Sequence, residues 1–248
     1  MDNKIHLSVI IPAYNEADKI SATLLDIDKY LSKQKYLYEI IVISDGSTDN
    51  TVQVVKKTQE LVKNIKIIDN KENHGKGYVV KQAMLEAWGK YRLFMDADNS
   101  TTIDHLDKFW PHTKNHDIVI GSIEIKGAKI EETAAWYRRW LGKLAKYIIR
   151  IIAGLWEIHD SQRGFKLFSE RVVKKIFPKQ SLMHWGFDFE ILSLAKKLGF
   201  KIKEIPVDWK NPPGKVTLKS YIKTFGELIK IKYNFLTNKY GLKNNENT

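Results

Sequence analysis

Asp96 and Asp98, one residue apart in Tyr91-Arg-Leu-Phe-Met-Asp-Ala-Asp-Asn-Ser100, stand where an apolar run ends and turn-forming residues begin. In an extended backbone, residues i and i+2 project to one face, so the two carboxylates can share a hard cation such as Mg2+ or Mn2+. An ion held this way keeps positions open for phosphate oxygens. The same pair also suits a solvated turn in which an Asp side chain caps nearby amides. Pro12-Ala-Tyr-Asn-Glu16 joins a rigid turn, an aromatic face and a carboxylate, a set that can stack a base and bind a ribose hydroxyl. Asn15 and Glu16 equally fit a helix start. In Ser44-Asp-Gly-Ser-Thr-Asp49, Gly46 gives the turn and Asp45 is free to accept from a base N–H, while helix capping accounts for the same residues. His74-Gly-Lys-Gly77 opens a helix whose N–H groups, with Lys76, can hold a diphosphate; its spacing is not that of a P-loop.

These residues meet only if the strands that carry them end together. Short β-branched runs recur at Leu7–Ile11, Glu39–Ile43, Ile65–Asp69, Tyr91–Met95 and Asp117–Gly121. Helix-period segments Glu16–Ser32, Thr48–Val62 and Gly77–Trp88 separate the first four. The alternation predicts an α/β, Rossmann-like fold with a mostly parallel sheet flanked by helices. Ligands of such sheets bind at the carboxyl ends of the strands, where three of these polar loops fall. A further strand is predicted over Ile202–Trp209, and Asn211-Pro-Pro-Gly214 is a stop before a Lys-rich tail. The expected organisation is a single domain over residues 1–214 with an appended basic amphipathic helical tail over 215–248.

The absence of cysteine excludes a disulfide framework, a Cys-type zinc site and a thiol nucleophile, and fits the cytoplasm. A net charge of +12, from 41 basic and 29 acidic residues, calls for an anionic partner: a nucleotide, a nucleic acid or a membrane surface. Arg139, Lys143, Lys146 and Arg150 oppose Trp140, Leu144, Ile148, Ile151 and Leu155 on a helical wheel. In the tail, Leu218, Ile222, Phe225, Ile229 and Leu236 form one stripe, with Lys219, Lys223 and Lys230 elsewhere. Such helices either dock on an anionic leaflet or pack their stripe on the core with the basic face in water. The longest apolar stretch, Tyr147 to Trp156, contains Arg150 and falls far short of the ~20 residues that span a bilayer, so no transmembrane helix is predicted. Peripheral association with the cytoplasmic, inner face of the membrane is expected. Nucleic acid is not an expected partner, because the basic residues lie on amphipathic stretches and are not interleaved with aromatics in a binding motif. A nucleotidyltransferase usually has a Gly-rich loop where Pro12–Glu16 stands.

Taken in order, Pro12-Ala-Tyr-Asn-Glu16, Asp45-Gly-Ser-Thr-Asp49 and Asp96-Ala-Asp98 resemble the family 2 glycosyltransferases, nucleotide-sugar enzymes of GT-A fold. Asp160-Ser-Gln-Arg-Gly-Phe-Lys166, His184-Trp-Gly-Phe-Asp-Phe-Glu190 and Glu204-Ile-Pro-Val-Asp-Trp209 resemble the branch that makes dolichyl-phosphate glucose. The likeness runs from about Leu7 to Phe235. It implies that Pro12, Tyr14, Glu16 and Asp45 hold the nucleoside, with Lys76 near the phosphates. Asp96 and Asp98 would bind Mg2+ or Mn2+ and the donor's diphosphate. The implied reaction is inverting transfer of a hexose, foremost glucose from UDP-glucose, to a polyisoprenyl phosphate at the membrane. GDP-mannose as donor and a saccharide hydroxyl as acceptor stay open. Asp160, Asp188 and Glu190 are candidates for positioning the acceptor or shaping the pocket, and one of them would act as base for a hydroxyl acceptor. Arg163 is a candidate diphosphate contact, or else a surface Arg beside a membrane. Ser44 stands where the family commonly carries a further Asp.

Overall fold

The computed structural model describes residues 4–131, 147, 149–210 and 218–242, without the side chains of 130, 131 and 218–224. Strands β1 (Leu7–Ala13), β2 (Tyr38–Asp45), β3 (Ile65–Asn70) and β4 (Tyr91–Met95) alternate with helices α1 (Ile20–Leu31), α2 (Thr51–Gln59) and α3 (Lys76–Glu86). They lie in the order β3-β2-β1-β4, all parallel, each helix serving as a crossover. Every residue of β1 is buried, and the two-residue period of a strand divides its side chains between two cores. Val9 and Ile11 pack with α1 and α2, whereas Ile10 packs on the α3 side.

The second half adds α4 (Leu106–Phe109), β5 (Ile118–Ser122), β6 (Ile130–Glu131), β7 (Phe165–Ser169), α5 (Glu170–Ile176), α6 (Phe187–Lys197), β8 (Ile202–Pro206), β9 (Trp209–Lys210) and α7 (Leu218–Leu236). The main sheet is β3-β2-β1-β4-β7-β5-β8, and β7 runs antiparallel to both its neighbours. Periodicity does not reveal β7, because Lys166 stands in its middle yet is 1% exposed. The reversed strand starts beside the end of β4, where the Asp96 amide donates to the Gly164 carbonyl at 3.1 Å. The later polar motif thereby reaches the end of the first parallel set.

The strand predicted over Ile202–Trp209 divides in two. β8 ends at Pro206, the Asp208 amide donates to His105 Nε2 at 2.9 Å, and Trp209 pairs with Ile130 in a separate two-stranded ribbon. Most of the basic segment around 139–148 and the Asn211-Pro-Pro-Gly214 stop lie outside the described residues. The helical turn that follows ends at Gly154, which adopts φ +67° while its amide and that of Leu155 donate to the Ile151 and Arg150 carbonyls. Leu155 therefore leaves the expected stripe and is fully buried.

Leu228 and Ile231 of α7 join the core beside Phe187 and Phe189 of α6. Next to them, the fully buried Glu190 accepts from the Ser181 and Leu182 amides, from Ser181 Oγ and, at 2.7 Å, from the Tyr240 hydroxyl. Of the two roles expected of Glu190, these contacts match shaping the pocket: its oxygens hold the start of the 180–186 loop and Tyr240. Burial and the Glu190 charge raise the pKa of Tyr240. Tyr240→Phe removes a hydrogen bond to a buried carboxylate and should lower stability by about 1.5–3 kcal/mol, measured by urea unfolding.

Candidate active site

Pro12, Tyr14, Glu16, Asp45, Lys76, Asp96 and Asp98 line one cleft of about 530 Å³ at the carboxyl ends of β1, β2 and β4. That volume lies in the range of small-molecule sites. Asn73, His184 and Trp185, which motif reading did not single out for binding, contribute to its wall. The first two loops are clasped together. Asn15 adopts φ 55°, a left-handed conformation that Asn tolerates, and its Oδ1 accepts from the Thr48 amide at 2.8 Å. The Glu16 amide donates to Thr51 Oγ1 at 2.8 Å and the Ala17 amide to Asp49 Oδ2 at 3.2 Å. Asn15 thus caps the neighbouring loop, not its own helix, and Tyr14 stays 48% exposed in the cleft wall.

Asp45 lines the cleft, and each of its oxygens already accepts one backbone amide. Its Oδ1 accepts from the His74 amide at 2.7 Å and its Oδ2 from the Gly75 amide at 2.9 Å. The reason is the turn into α3: Gly75 has φ +100°, and a Cβ there would lie 2.3 Å from His184 Nδ1. Asp45 ties down this crowded turn. The Tyr78 amide is taken by the Gly75 and Met183 carbonyls, and the Lys76 side chain stands in the cleft wall at this helix start.

Lys76 Nζ lies 2.6 Å from Asp96 Oδ1 and 5.2 Å from the ring centres of both Phe94 and Trp185. Asp98 Oδ1 accepts from the Ser100 amide at 3.0 Å and from its hydroxyl, so turn capping and a place in the cleft coexist. Burial raises the pKa of Glu16, and the Asp98 and Asp96 charges push it further up against the pull of Lys19. For Lys76, burial opposes the charge, but Asp96, Asp188 and Asp98 outweigh it and hold the pKa above the ordinary lysine value. Asp188 lies just behind, 2.7 Å from Lys166 Nζ; burial raises its pKa although Lys166 and Lys76 pull the other way. Lys166 has no place in the sequence reading as a site residue. Its signals there are its place at the end of the Asp160–Lys166 motif and a lone cation within the apolar Phe165-Lys-Leu-Phe168.

Asp160 and Arg163 fall outside the cleft wall. Asp160, 2% exposed, accepts from the Ile123 amide at 3.2 Å and from Arg163 Nε at 3.4 Å. The Arg163 guanidinium lies 4.3 Å over the Trp209 ring, a cation–π contact that joins its contact with Asp160. Gly164 touches the site directly, since a Cβ there would stand 2.0 Å from Asp96 Oδ2.

The donor atoms fit a hard divalent cation, being carboxylate oxygens of Asp96 and Asp98 with Glu16 in the same field. Among the described residues, no group of three or more His, Cys, Asp or Glu is arranged to hold an ion, so an ion here would draw further oxygens from a bound phosphate or water.

A family model described as glycosyl transferase family 2 matches residues 8–177. The chain belongs to that family. This glycosyltransferase is 34% identical over 239 residues to a dolichyl-phosphate beta-glucosyltransferase of Trichomonas vaginalis, covering 92% of this chain and 73% of the relative. It is 36% identical over 234 residues to the dolichyl-phosphate beta-glucosyltransferase of Saccharomyces cerevisiae, covering 86% and 69%. Its fold is similar to mannosyl-3-phosphoglycerate synthase from Rubrobacter xylanophilus, with TM-score 0.71 and 14% identity over 95% of this chain and 75% of that one. Glucosyl-3-phosphoglycerate synthase from Mycobacterium tuberculosis, solved with UDP, gives TM-score 0.69 and 14% identity over 93% and 81%. The expected GT-A architecture is thus found, and the family places the chain among glycosyltransferases, not nucleotidyltransferases.

Two substitutions in the glycosyltransferase probe the surroundings of Asp96 and Asp188. Gly164→Ala should displace its carboxylate and lower kcat/KM for sugar transfer about 10²-fold, with the thermal unfolding midpoint little changed. Lys166→Met leaves Asp188 buried without its cation and should lower stability by about 3–5 kcal/mol in urea unfolding.

Proposed function

We propose that this glycosyltransferase moves glucose from UDP-glucose to a polyisoprenyl phosphate with inversion, while associated peripherally with the cytoplasmic face of a membrane. One observation carries the donor half: a single cleft joins a nucleoside-suited wall, Tyr14 and Glu16, to a diphosphate-suited one, Lys76, Asp96 and Asp98. The names of the relatives support glucose and the lipid phosphate. Asp96 and Asp98 would hold Mg2+ or Mn2+, which when bound sets positive charge against the leaving diphosphate.

The rest of the chemistry falls to the chain. As the anomeric C–O bond breaks, negative charge grows on the diphosphate, and Lys76, kept charged by the acids around it, meets that charge. An oxygen of the acceptor phosphate forms the new bond from the opposite face. A phosphate monoester has a second pKa near ~6 and is largely dianionic at neutral pH, so no proton has to be removed. The structure supports this acceptor, because Asp160 is engaged by Ile123 and Arg163, and Asp188 by Lys166. No helix among the described residues is long and apolar enough to cross a membrane.

UDP- and GDP-sugars, each with Mg2+, Mn2+ or chelator and with or without polyisoprenyl phosphate, test the reading through the label extracted into lipid. Labelled lipid should require UDP-glucose, a divalent cation and the lipid phosphate together; transfer without the lipid phosphate, or preference for GDP-mannose, overturns it. In the same assay Asp98→Asn should lower kcat/KM by about 10²–10³-fold, the scale of losing a charge-stabilising group. Asp160→Asn should cost less than tenfold, whereas an equal loss would point to a general base and a hydroxyl acceptor.

A further inference from the structure

Helix α7 has two apolar sides, and packing uses one of them. Leu228 and Ile231 are each 1% exposed against the core. On the other side Phe225, Ile229, Tyr233 and Leu236 are 48%, 53%, 61% and 70% exposed. Their spacing of four, four and three places them on one stripe of the helix. Lys230 and Lys232, both exposed, flank that stripe, one on each side by helical periodicity. A surface helix that already buries one face needs no second apolar stripe for folding, and four large side chains in a row form a patch that calls for a partner.

The helix is also tied to the cleft. Two residues after Phe225, Glu227 Oε2 accepts from the Gly186 amide at 2.8 Å, and a Cβ on Gly186 would lie 2.8 Å from Glu227 Cβ. Gly186 directly follows Trp185, which is 57% exposed and lines the cleft.

We propose that the outward stripe of α7 docks on an anionic lipid leaflet and holds the cleft mouth at its surface. Phe225, Ile229, Tyr233 and Leu236 enter the boundary between headgroups and acyl chains, and Lys230 and Lys232 lie at phosphate level. Charge selects this occupant: the chain carries +12, and lysines beside an apolar stripe suit anionic headgroups. The inference rests on the lipid-phosphate reading of the acceptor and adds the face that meets the lipid.

Flotation of the full chain with phosphatidylcholine vesicles, with and without phosphatidylglycerol, tests the surface. Wild type should float with the anionic vesicles at low salt and lose recovery as salt rises. Ile229→Asp with Leu236→Asp should cut vesicle affinity roughly a hundredfold, each buried apolar group being worth about tenfold. Its melting temperature and its transfer to detergent-dispersed polyisoprenyl phosphate should match wild type. Lys230→Glu with Lys232→Glu should weaken binding to anionic vesicles only. If the Asp pair fails to fold, Phe225→Ser with Ile229→Ser serves instead. Unchanged flotation of the folded apolar variant, or a wild type that never floats, overturns the proposal. So does a wild-type dimer in sedimentation that the substitutions split without affecting flotation. Transfer by a wild type that does not float defeats the docking surface alone; stripe-dependent flotation without any lipid glucosylation defeats the acceptor reading and leaves the surface standing.

Discussion

Three carboxylates gathered at the end of a buried sheet repel one another unless positive charge stands close by, and the architecture around the cleft answers that constraint. Asp96 and Asp98 come from the end of β4 and Glu16 from the loop after β1, and the field of the two aspartates is felt at Glu16. Lys76 is the counter-charge, 2.6 Å from Asp96, at the first residue of α3. Its place depends on a turn that tolerates no side chain at Gly75 and whose amides are held by Asp45. The nucleoside loop, the metal pair and the Gly-Lys turn are therefore one electrostatic unit.

The antiparallel strand β7 supplies the second layer of that unit. Phe94 on β4 pairs with Lys166 on β7, so a lysine at a core position is brought under the cleft to neutralise Asp188, which in turn helps to keep Lys76 charged. A buried ion pair adds little net stability, yet breaking it is costly, which makes its value here one of placing charge. The same reversal lays Gly164 against the Asp96 carboxylate. A parallel strand at this position would have carried the Asp160–Lys166 motif to the opposite edge of the sheet.

The parallel half was legible because β-branched runs and helix-period segments alternate, and each polar loop falls at the end of a strand. The runs at Leu7–Ile11, Ile65–Asp69 and Tyr91–Met95 lie within or coincide with β1, β3 and β4. What escaped was whatever depends on partners distant in sequence. Nothing local says that Asp45 turns toward the His74 and Gly75 amides, that Glu190 meets Tyr240 fifty positions away, or that Lys166 is buried. For α7, the stripe of Phe225, Ile229 and Leu236 is easily read as the packed face, but the core takes the side with Leu228, Ile231 and Asn234. Hydrophobic periodicity locates a face without saying what covers it.

The 180–186 loop shows why the C-terminal helix belongs in any account of the cleft. Its beginning is held by Glu190, whose carboxylate also takes the Tyr240 hydroxyl; Asn234 of α7 donates to both Ser181 Oγ and Tyr240 Oη. Its end is held by Glu227 of α7, which accepts from Gly186 at the start of α6, where a negative side chain also suits the helix dipole. Between these anchors, Met183 takes the Tyr78 amide of α3 and Trp185 stands 5.2 Å from Lys76. A shift of α7 would be felt first at Gly186 and Trp185, then at the lysine that balances the acidic cluster. The far end of the chain is in this way a structural support of chemistry carried by its first hundred residues.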